Sequence, residues 1–187
     1  MSSPRIYTVG HSTRALDEFL ALLEAHGVTG LADVRSFPGS RRHPHFSREA
    51  LERSLPAGGI VYRHFAALGG MRKPRRDSRN GGWRHASFRG YADHMETPEF
   101  QEALDGLLGF AQSHVVGIMC AEAKWWQCHR QLTSDALVAR GAEVRHIMSK
   151  TSAPPHELTS FARLAGDRVT YPALLEEPIG GDDGLTA

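Results

Sequence analysis

The sequence lacks the features that define membrane proteins and secreted, disulfide-bonded proteins. Only two of its 187 residues are cysteine, too few for a disulfide framework. No apolar run approaches the ~18 residues of a membrane span. The first ten residues, MSSPRIYTVG, lack the charged and apolar regions of a secretory signal. We therefore expect a cytoplasmic protein with reduced thiols and no membrane partner.

The chain has almost no net charge, +1 at pH 7, yet its basic residues are concentrated in one third of it. Residues 35–89, hereafter the basic segment, contain thirteen Lys or Arg and three acidic residues, which leaves a charge of +10. Twelve of the thirteen are arginine, whose planar guanidinium group suits phosphates and carboxylates. The segment is either a solvated surface paired with the acidic remainder or the binding surface for a polyanion.

Two patterns of apolar residues alternate along the chain. Short apolar runs, such as residues 6–10 and 115–120, predict buried strands, whereas amphipathic stretches closed by glycine, such as residues 15–26 before Gly27, predict helices. This alternation predicts a single three-layer α/β domain, with a mainly parallel sheet of about five strands and helices on both faces.

The predicted domain covers residues 1–148 and includes a basic excursion, rich in Gly and Arg, at residues 68–90, with a helix from Tyr91 onward. Residues 149–187 are expected to form a proline-containing C-terminal extension. Within it we expect one or two helical turns at residues 155–165, and we expect the final eight residues to be loose.

Polar side chains follow several predicted strands at the point where each strand ends, which is where parallel sheets bind ligands. His11 and Ser12 follow the first strand, Asp33 and Arg35 end the second, and Cys120 and Glu122 end the fourth. The next loop carries further candidates into the start of a helix, namely Trp125, Trp126, Cys128, His129 and Arg130. These strand ends together predict a pocket.

The two carboxylates of this set are candidates for general acid/base chemistry on a glycosidic or phosphate ester bond. Each also has a structural interpretation, which for Asp33 is the cap of a turn. Against this interpretation, Asp33 follows a buried run, where an unpaired carboxylate would be costly. Arg35 or Arg130 is a plausible partner for it, and a carboxylate so placed can orient or deprotonate a water molecule.

The cysteines and the tryptophans each have more than one interpretation. Cys120, Cys128 and His129 include soft-metal ligands, but their spacing is not that of a zinc knuckle or ribbon, and we expect no metal or cofactor. Cys128 is either a nucleophilic thiol or, in the interpretation we prefer, part of an anion site at a helix N-terminus. At least one of Trp125 and Trp126 is a candidate platform for stacking a base or sugar.

Several multi-residue motifs resemble one family. TVGHS, LADVRSFPGSRRHPHF, the LGG at residues 68–70, FRGYADHMETPEF, CAEAKWWQCHR and VRHI occur in that order between Ile6 and Ile147. They resemble the bacterial and archaeal family catalogued as domain of unknown function 488. The resemblance implies a small three-layer α/β domain, and it links some similar proteins to the excision of modified pyrimidine bases from DNA. The family-like positions are His11, Ser12, Asp33, Arg35, Pro38, Ser40, Arg41, Phe46, Cys120, Glu122, Cys128, His129 and Arg130.

The leading interpretation is a hydrolase that acts on nucleic acid or a nucleotide, with DNA favoured, and that cleaves the N-glycosidic bond of a modified base in the manner of a DNA glycosylase. Asp33 or Glu122 would activate water, and the other would stabilise the positive charge on the sugar. The candidate substrate- and phosphate-binding residues are His11, Ser12, Arg35, Arg41, Arg42, Trp125, Trp126, Cys128, His129 and Arg130.

Two alternatives belong to other functional classes. The first is a non-catalytic module that binds nucleic acid or another polyanion, and the second is a thiol or metal enzyme centred on Cys120, Cys128 and His129. The sequence indicates no particular protein partner.

Overall fold

Five short strands form one parallel sheet in the computed structural model, which describes residues 3–39 and 41–173. The strands are β1 (Arg5–Gly10), β2 (Gly30–Asp33), β3 (Val61–His64), β4 (Val116–Cys120) and β5 (Glu143–His146). Their order in the sheet is β3-β2-β4-β1-β5, and every neighbouring pair is parallel. The expected α/β fold with a parallel sheet is therefore confirmed.

Five α-helices within the described residues cover both faces of this sheet. They are α1 (Leu16–Ala25), α2 (Arg48–Ser54), α3 (Ala86–Met95), α4 (Pro98–Phe110) and α5 (Arg130–Ala139). The connections from β1 and β2 run towards one edge of the sheet, and those from β3 and β4 run towards the other. Because parallel crossovers are right-handed, α1 and α2 lie on one face and α3, α4 and α5 on the opposite face. Two separate apolar cores result.

The basic excursion ends earlier than the sequence predicts, because α3 begins at Ala86 rather than at Tyr91. The buried Asp93 of α3 holds the excursion against the domain. Its carboxylate accepts hydrogen bonds from the Arg75 backbone N–H (2.8 Å), the Ser78 hydroxyl (2.6 Å) and the Asn80 side-chain amide (2.9 Å). A segment poor in aliphatic residues is thus ordered by polar contacts.

The expected helical turns at residues 155–165 are wrong, because the described part of the extension forms a two-stranded antiparallel hairpin instead, β6 (Arg163–Ala165) and β7 (Arg168–Thr170). Gly166 takes a φ of 62° in the two-residue turn, where a residue with a side chain would be strained. The extension packs on α5, where the Asp135 carboxylate accepts hydrogen bonds from the Thr159 backbone N–H and the Tyr171 hydroxyl. The final eight residues, expected to be loose, lie outside the described residues.

Within residues 3–39 and 41–173, the helices are all too short or too polar to cross a membrane.

Candidate active site

An open cavity of about 670 Å³ lies beyond the carboxyl ends of β2 and β4. The connections leave these two neighbouring strands in opposite directions, and such a divergence opens a crevice at the end of a parallel sheet. The loop after β2, residues 70–71, the start of α3 and the loop between β4 and α5 line the cavity. The structure thus forms a pocket at the edge of the sheet that the strand-end residues indicate.

The basic segment forms one side of this cavity. Half of the residues that line it lie between Arg35 and Phe88, and the other half lie between Tyr91 and His129. The segment contributes Phe37, Met71 and Phe88 as apolar surface, and His85 as a titratable group. Phe37 and Met71 are among the most exposed large apolar side chains of the described chain, at 78% and 85%. A cavity with apolar and aromatic walls suits a flat ligand.

Glu122 is the carboxylate that the cavity exposes. Its position follows from the tight passage of the β4–α5 loop over the end of β1, where a Cβ atom on Gly10 would collide with the Glu122 carbonyl oxygen. The Arg130 side chain donates a hydrogen bond to that same carbonyl oxygen. The backbone of Glu122 is therefore fixed while its side chain is free to meet a ligand.

Asp33 does not line the cavity, and its side chain is completely buried. Arg35 donates two hydrogen bonds to its carboxylate, from Nε (2.9 Å) and Nη2 (2.6 Å), and the Tyr62 hydroxyl donates a third (2.8 Å). Both carboxylate oxygens are thus occupied by protein groups. This environment disfavours the expected role in activating water, and it makes Asp33 a residue that positions Arg35.

His11 contacts Arg35, and neither His11 nor Ser12 lines the cavity. The His11 ring stacks on Phe46 with centroids 4.3 Å apart, and its Nε2 is 3.3 Å from Arg35 Nη1. Burial lowers the pKa of His11 to about 4, and the nearby Arg35 charge adds to this. His11 is therefore neutral at pH 7, with Nε2 as acceptor for Arg35. Ser12 takes a φ of 49° at the turn and does not line the cavity.

The four arginines expected to bind phosphate lie in different environments. Arg35 lines the cavity but makes four hydrogen bonds within the protein, and Arg130 is buried, 2% exposed, with its guanidinium directed at loop carbonyls and Thr8. Neither arginine has a guanidinium group that is free to bind a phosphate. Arg41 and Arg42 are exposed on the loop between β2 and α2, where they remain available. The neighbouring family-like position Ser40 lies outside the described residues.

The two adjacent tryptophans have different environments. Trp125 stacks on His146 at 3.8 Å between ring centroids and 4° between planes, so its face is already covered. Trp126 lines the cavity and is 43% exposed. Of the two stacking candidates, Trp126 is the one whose surface a ligand can reach.

The two cysteines meet at the floor of the cavity, with their Sγ atoms 2.9 Å apart. The Arg130 backbone N–H donates to Cys128 Sγ (3.4 Å), and His129 Nδ1 lies 3.7 Å from it. Burial alone would raise the pKa of Cys128, but the hydrogen bonds from Cys120 and His129 and the charges of His129 and Arg130 outweigh burial and hold the pKa well below its usual value. The surroundings of Cys128 at the start of α5 thus favour its thiolate form, in the place where the sequence predicts a bound phosphate.

Cys120, Cys128 and His129, the candidate metal ligands, are thus neighbours. Two sulfurs bound to one tetrahedral zinc ion at about 2.3 Å would lie roughly 3.7 Å apart, farther than the 2.9 Å seen between them. Across the described ranges, no set of three or more His, Cys, Asp or Glu side chains is arranged to hold a metal ion.

Sequence reasoning missed two parts of this region. Phe88, which lines the cavity together with Tyr91, lies in the first turn of α3, in a stretch whose Gly and Arg content favours a loop. The second part is a buried chain of hydrogen bonds that the sequence did not indicate. In it, His156 Nδ1 lies 2.9 Å from His146 Nε2, and His156 Nε2 lies 2.8 Å from Asp135 Oδ1. His156 belongs to the C-terminal extension, and no motif in the sequence links it to the sheet.

Comparison with known proteins identifies a matching family. The family model described as "Domain of unknown function DUF488" matches residues 15–137, which include every strand-end candidate named above except His11 and Ser12. No curated protein and no solved structure matches the chain.

Proposed function

The chain belongs to the DUF488 family, and we propose that it is a hydrolase that acts on nucleic acid or a nucleotide and cleaves the N-glycosidic bond of a modified base. The observation that carries this proposal is the cavity itself. It brings an exposed carboxylate, Glu122, and an exposed aromatic side chain, Trp126, together with residues of the basic segment.

The shape and lining of the cavity support binding of a base taken out of its stack. A volume of about 670 Å³ is in the range that holds a ligand the size of a nucleotide. Trp126 and Phe88 offer aromatic surface for stacking, which contributes about 1–3 kcal/mol per base. The exposed guanidinium groups of Arg41 and Arg42 would pair with the phosphates that flank the base.

Glu122 supplies the chemistry in this proposal. Its carboxylate accepts a proton from a water molecule as the water oxygen bonds to the anomeric carbon of the sugar. The bond from that carbon to the base nitrogen breaks, and the base leaves with the electron pair and is protonated from solvent. The negative charge of Glu122 also stabilises the positive charge that develops on the sugar. Asp33 contributes only by holding Arg35 in place.

The test is base release from duplex DNAs that each carry one modified pyrimidine, with abasic sites detected by alkali cleavage. We expect cleavage with one class of modification, and we expect Glu122→Gln to lower the single-turnover rate by at least about 100-fold, the contribution typical of a general base. Glu24→Gln, an exposed substitution on α1 across the sheet, is the matched control and should leave the rate unchanged. Equal rates for wild type and Glu122→Gln would eliminate the catalytic assignment.

A non-catalytic polyanion-binding module is the second candidate, and the exposed pair Arg41 and Arg42 favours it. It predicts DNA retention that weakens steeply with salt and yields no product. Replacement of both arginines by Ala should weaken retention and reduce its salt dependence, whereas the matched replacement of Lys150 and Arg163, exposed outside the basic segment, should do neither. Product formation by the wild type would decide for the hydrolase.

A further inference from the structure

We propose that Cys120 and Cys128 form a redox-active dithiol, which a small hydroperoxide oxidises to an intramolecular disulfide at the floor of the cavity. This inference is independent of the proposed hydrolase, because it uses neither Glu122 nor a nucleic acid. It assigns a second chemistry to the same cavity, with a hydroperoxide as the oxidising substrate and a thiol as the reductant that restores it.

The positions of the two sulfurs carry the proposal. Cys120 is the last residue of β4, Cys128 directly precedes the N-cap of α5, and both side chains line the cavity. Their Sγ atoms are already 2.9 Å apart. A disulfide bond is about 2.05 Å long, so the two sulfurs must approach by about 0.9 Å to form one.

The surrounding groups give the two sulfurs different roles. The Arg130 backbone N–H, at the start of α5, and the His129 ring both face Cys128 Sγ, so the negative charge belongs on that sulfur. Burial, together with the hydrogen bond and the charge of Cys128, raises the pKa of Cys120 well above its usual value. Cys128 is therefore the attacking thiolate, and Cys120 keeps its proton until the second step.

His129 can exchange a proton with Cys128. Its Nε2 is 3.0 Å from the Val34 carbonyl oxygen, which can only accept, so Nε2 carries a hydrogen. The other ring nitrogen, Nδ1, faces Cys128 Sγ at 3.7 Å. In the neutral ring Nδ1 is unprotonated and can take the thiol proton, which produces a thiolate and an imidazolium side by side.

The reaction balances in two steps. The Cys128 thiolate attacks one oxygen of the hydroperoxide, the O–O bond breaks, and an alkoxide or hydroxide leaves and takes the proton from His129. Cys128 is then a sulfenic acid. The Cys120 sulfur attacks the Cys128 sulfur, and its own proton leaves with the hydroxyl group as water, which forms the disulfide. Two molecules of a thiol reduce this disulfide and restore the dithiol.

The burial of both sulfurs selects the oxidant. Cys120 is 2% exposed and Cys128 is 4% exposed, although both lie at the wall of an open cavity. A peroxide oxygen can reach a sulfur so placed. Attack on a disulfide instead needs the attacking sulfur in line with both sulfurs of the disulfide, and it needs space for the leaving thiol. A small hydroperoxide therefore fits better than a low-molecular-weight disulfide.

The test treats the reduced full-length chain with hydrogen peroxide and follows its intact mass and free thiols. We expect a loss of about 2 Da and of both thiols, reversed by dithiothreitol. The rate at pH 7 should be at least about ten-fold that of free cysteine, which is only a few per cent thiolate at that pH. Trypsin cuts after Lys124 and so separates the two cysteines. A disulfide will therefore join the peptide of residues 125–130 to the one that contains Cys120.

Two variants separate the roles. Cys120→Ser should stop at a gain of about 16 Da, a sulfenic acid that dimedone traps, and Cys128→Ser should keep its remaining thiol at the same peroxide concentration. The peptide analysis needs no variant, so it decides the question even if a variant fails to fold. The proposal is overturned if the wild type keeps both thiols at peroxide levels that oxidise free cysteine, if only dimers between chains form, or if Cys128→Ser reacts as fast as the wild type.

Discussion

Replacement of Asp33 by Asn should unfold the protein at a much lower denaturant concentration. The side chain is fully buried, and Arg35, with which it pairs, is 7% exposed. An amide keeps the shape but removes the charge, so Arg35 is left buried without a counterion. Loss of one partner of a buried pair costs about 3–5 kcal/mol, and we expect the free energy of unfolding to fall by an amount in that range.

Two further variants test the cause. Tyr62→Phe removes only the hydroxyl that donates to the Asp33 carboxylate (2.8 Å) and leaves the ion pair intact, so it should cost about 1.5–3 kcal/mol, as for a hydrogen bond to a charged group. The double variant Asp33→Asn with Arg35→Met should be more stable than Asp33→Asn alone, because the unpaired charge has gone. Urea denaturation followed by circular dichroism gives each value. A loss below about 1 kcal/mol for Asp33→Asn, combined with loss of base release, would refute the positioning role and restore Asp33 as a catalytic candidate.

Three further predictions concern the groups around the cavity. Gly10→Ala should destabilise the protein by at least about 2 kcal/mol, because its new Cβ collides with the loop after β4. Gly109→Ala, which has open space around it, should not destabilise the protein. The midpoints of thermal unfolding of the two variants give the comparison. The pKa of His11 falls from 6.5 to about 4 on folding, so the unfolded chain takes up this proton at a higher pH than the folded chain, and stability should drop as the pH falls from about 6.5 to about 4. His11→Gln should make the urea midpoint depend less on pH in this range. An unchanged dependence would contradict the prediction. Trp126→Ala should weaken DNA retention without loss of stability, whereas Trp125→Ala should cost about 2 kcal/mol of stability by uncovering His146; the reverse pattern would contradict the assignment.

The sequence predicted the sheet and most helices because their signals are local. Buried runs such as β4 and glycine stops such as Gly27 and Gly141, at φ of 66° and 83°, are visible without tertiary information. The start of α3 was missed because its first five residues, ASFRG, include Gly and Arg in place of an apolar stripe. The hairpin of the extension had a signal, the Gly166–Asp167 pair between two short β-like runs, but the prolines before it suggested a loop with a docked turn.

The candidate site was predicted in position but not in roles. Strand ends meet at one edge of any parallel sheet, so the location of Glu122, Trp126 and Cys128 follows from the alternation of strands and helices. Which charges face outward depends on packing across the sheet. The pairing of Asp33 with Arg35 occupies the hydrogen-bonding groups of both side chains, and no spacing in the sequence distinguishes such a pair from a catalytic one.

Hydrogen exchange with and without bound DNA tests most directly whether the cavity beside the basic segment is where the protein acts. The ligand is a duplex with a single uncleavable abasic-site analogue, so that binding is measured without turnover. We predict that protection appears in the segments 35–37, 70–71, 85–91 and 120–129, which contain the residues that line the cavity, and not in the β6–β7 hairpin. Protection confined to the hairpin or to α1, or no protection at DNA concentrations that saturate retention, would contradict the account.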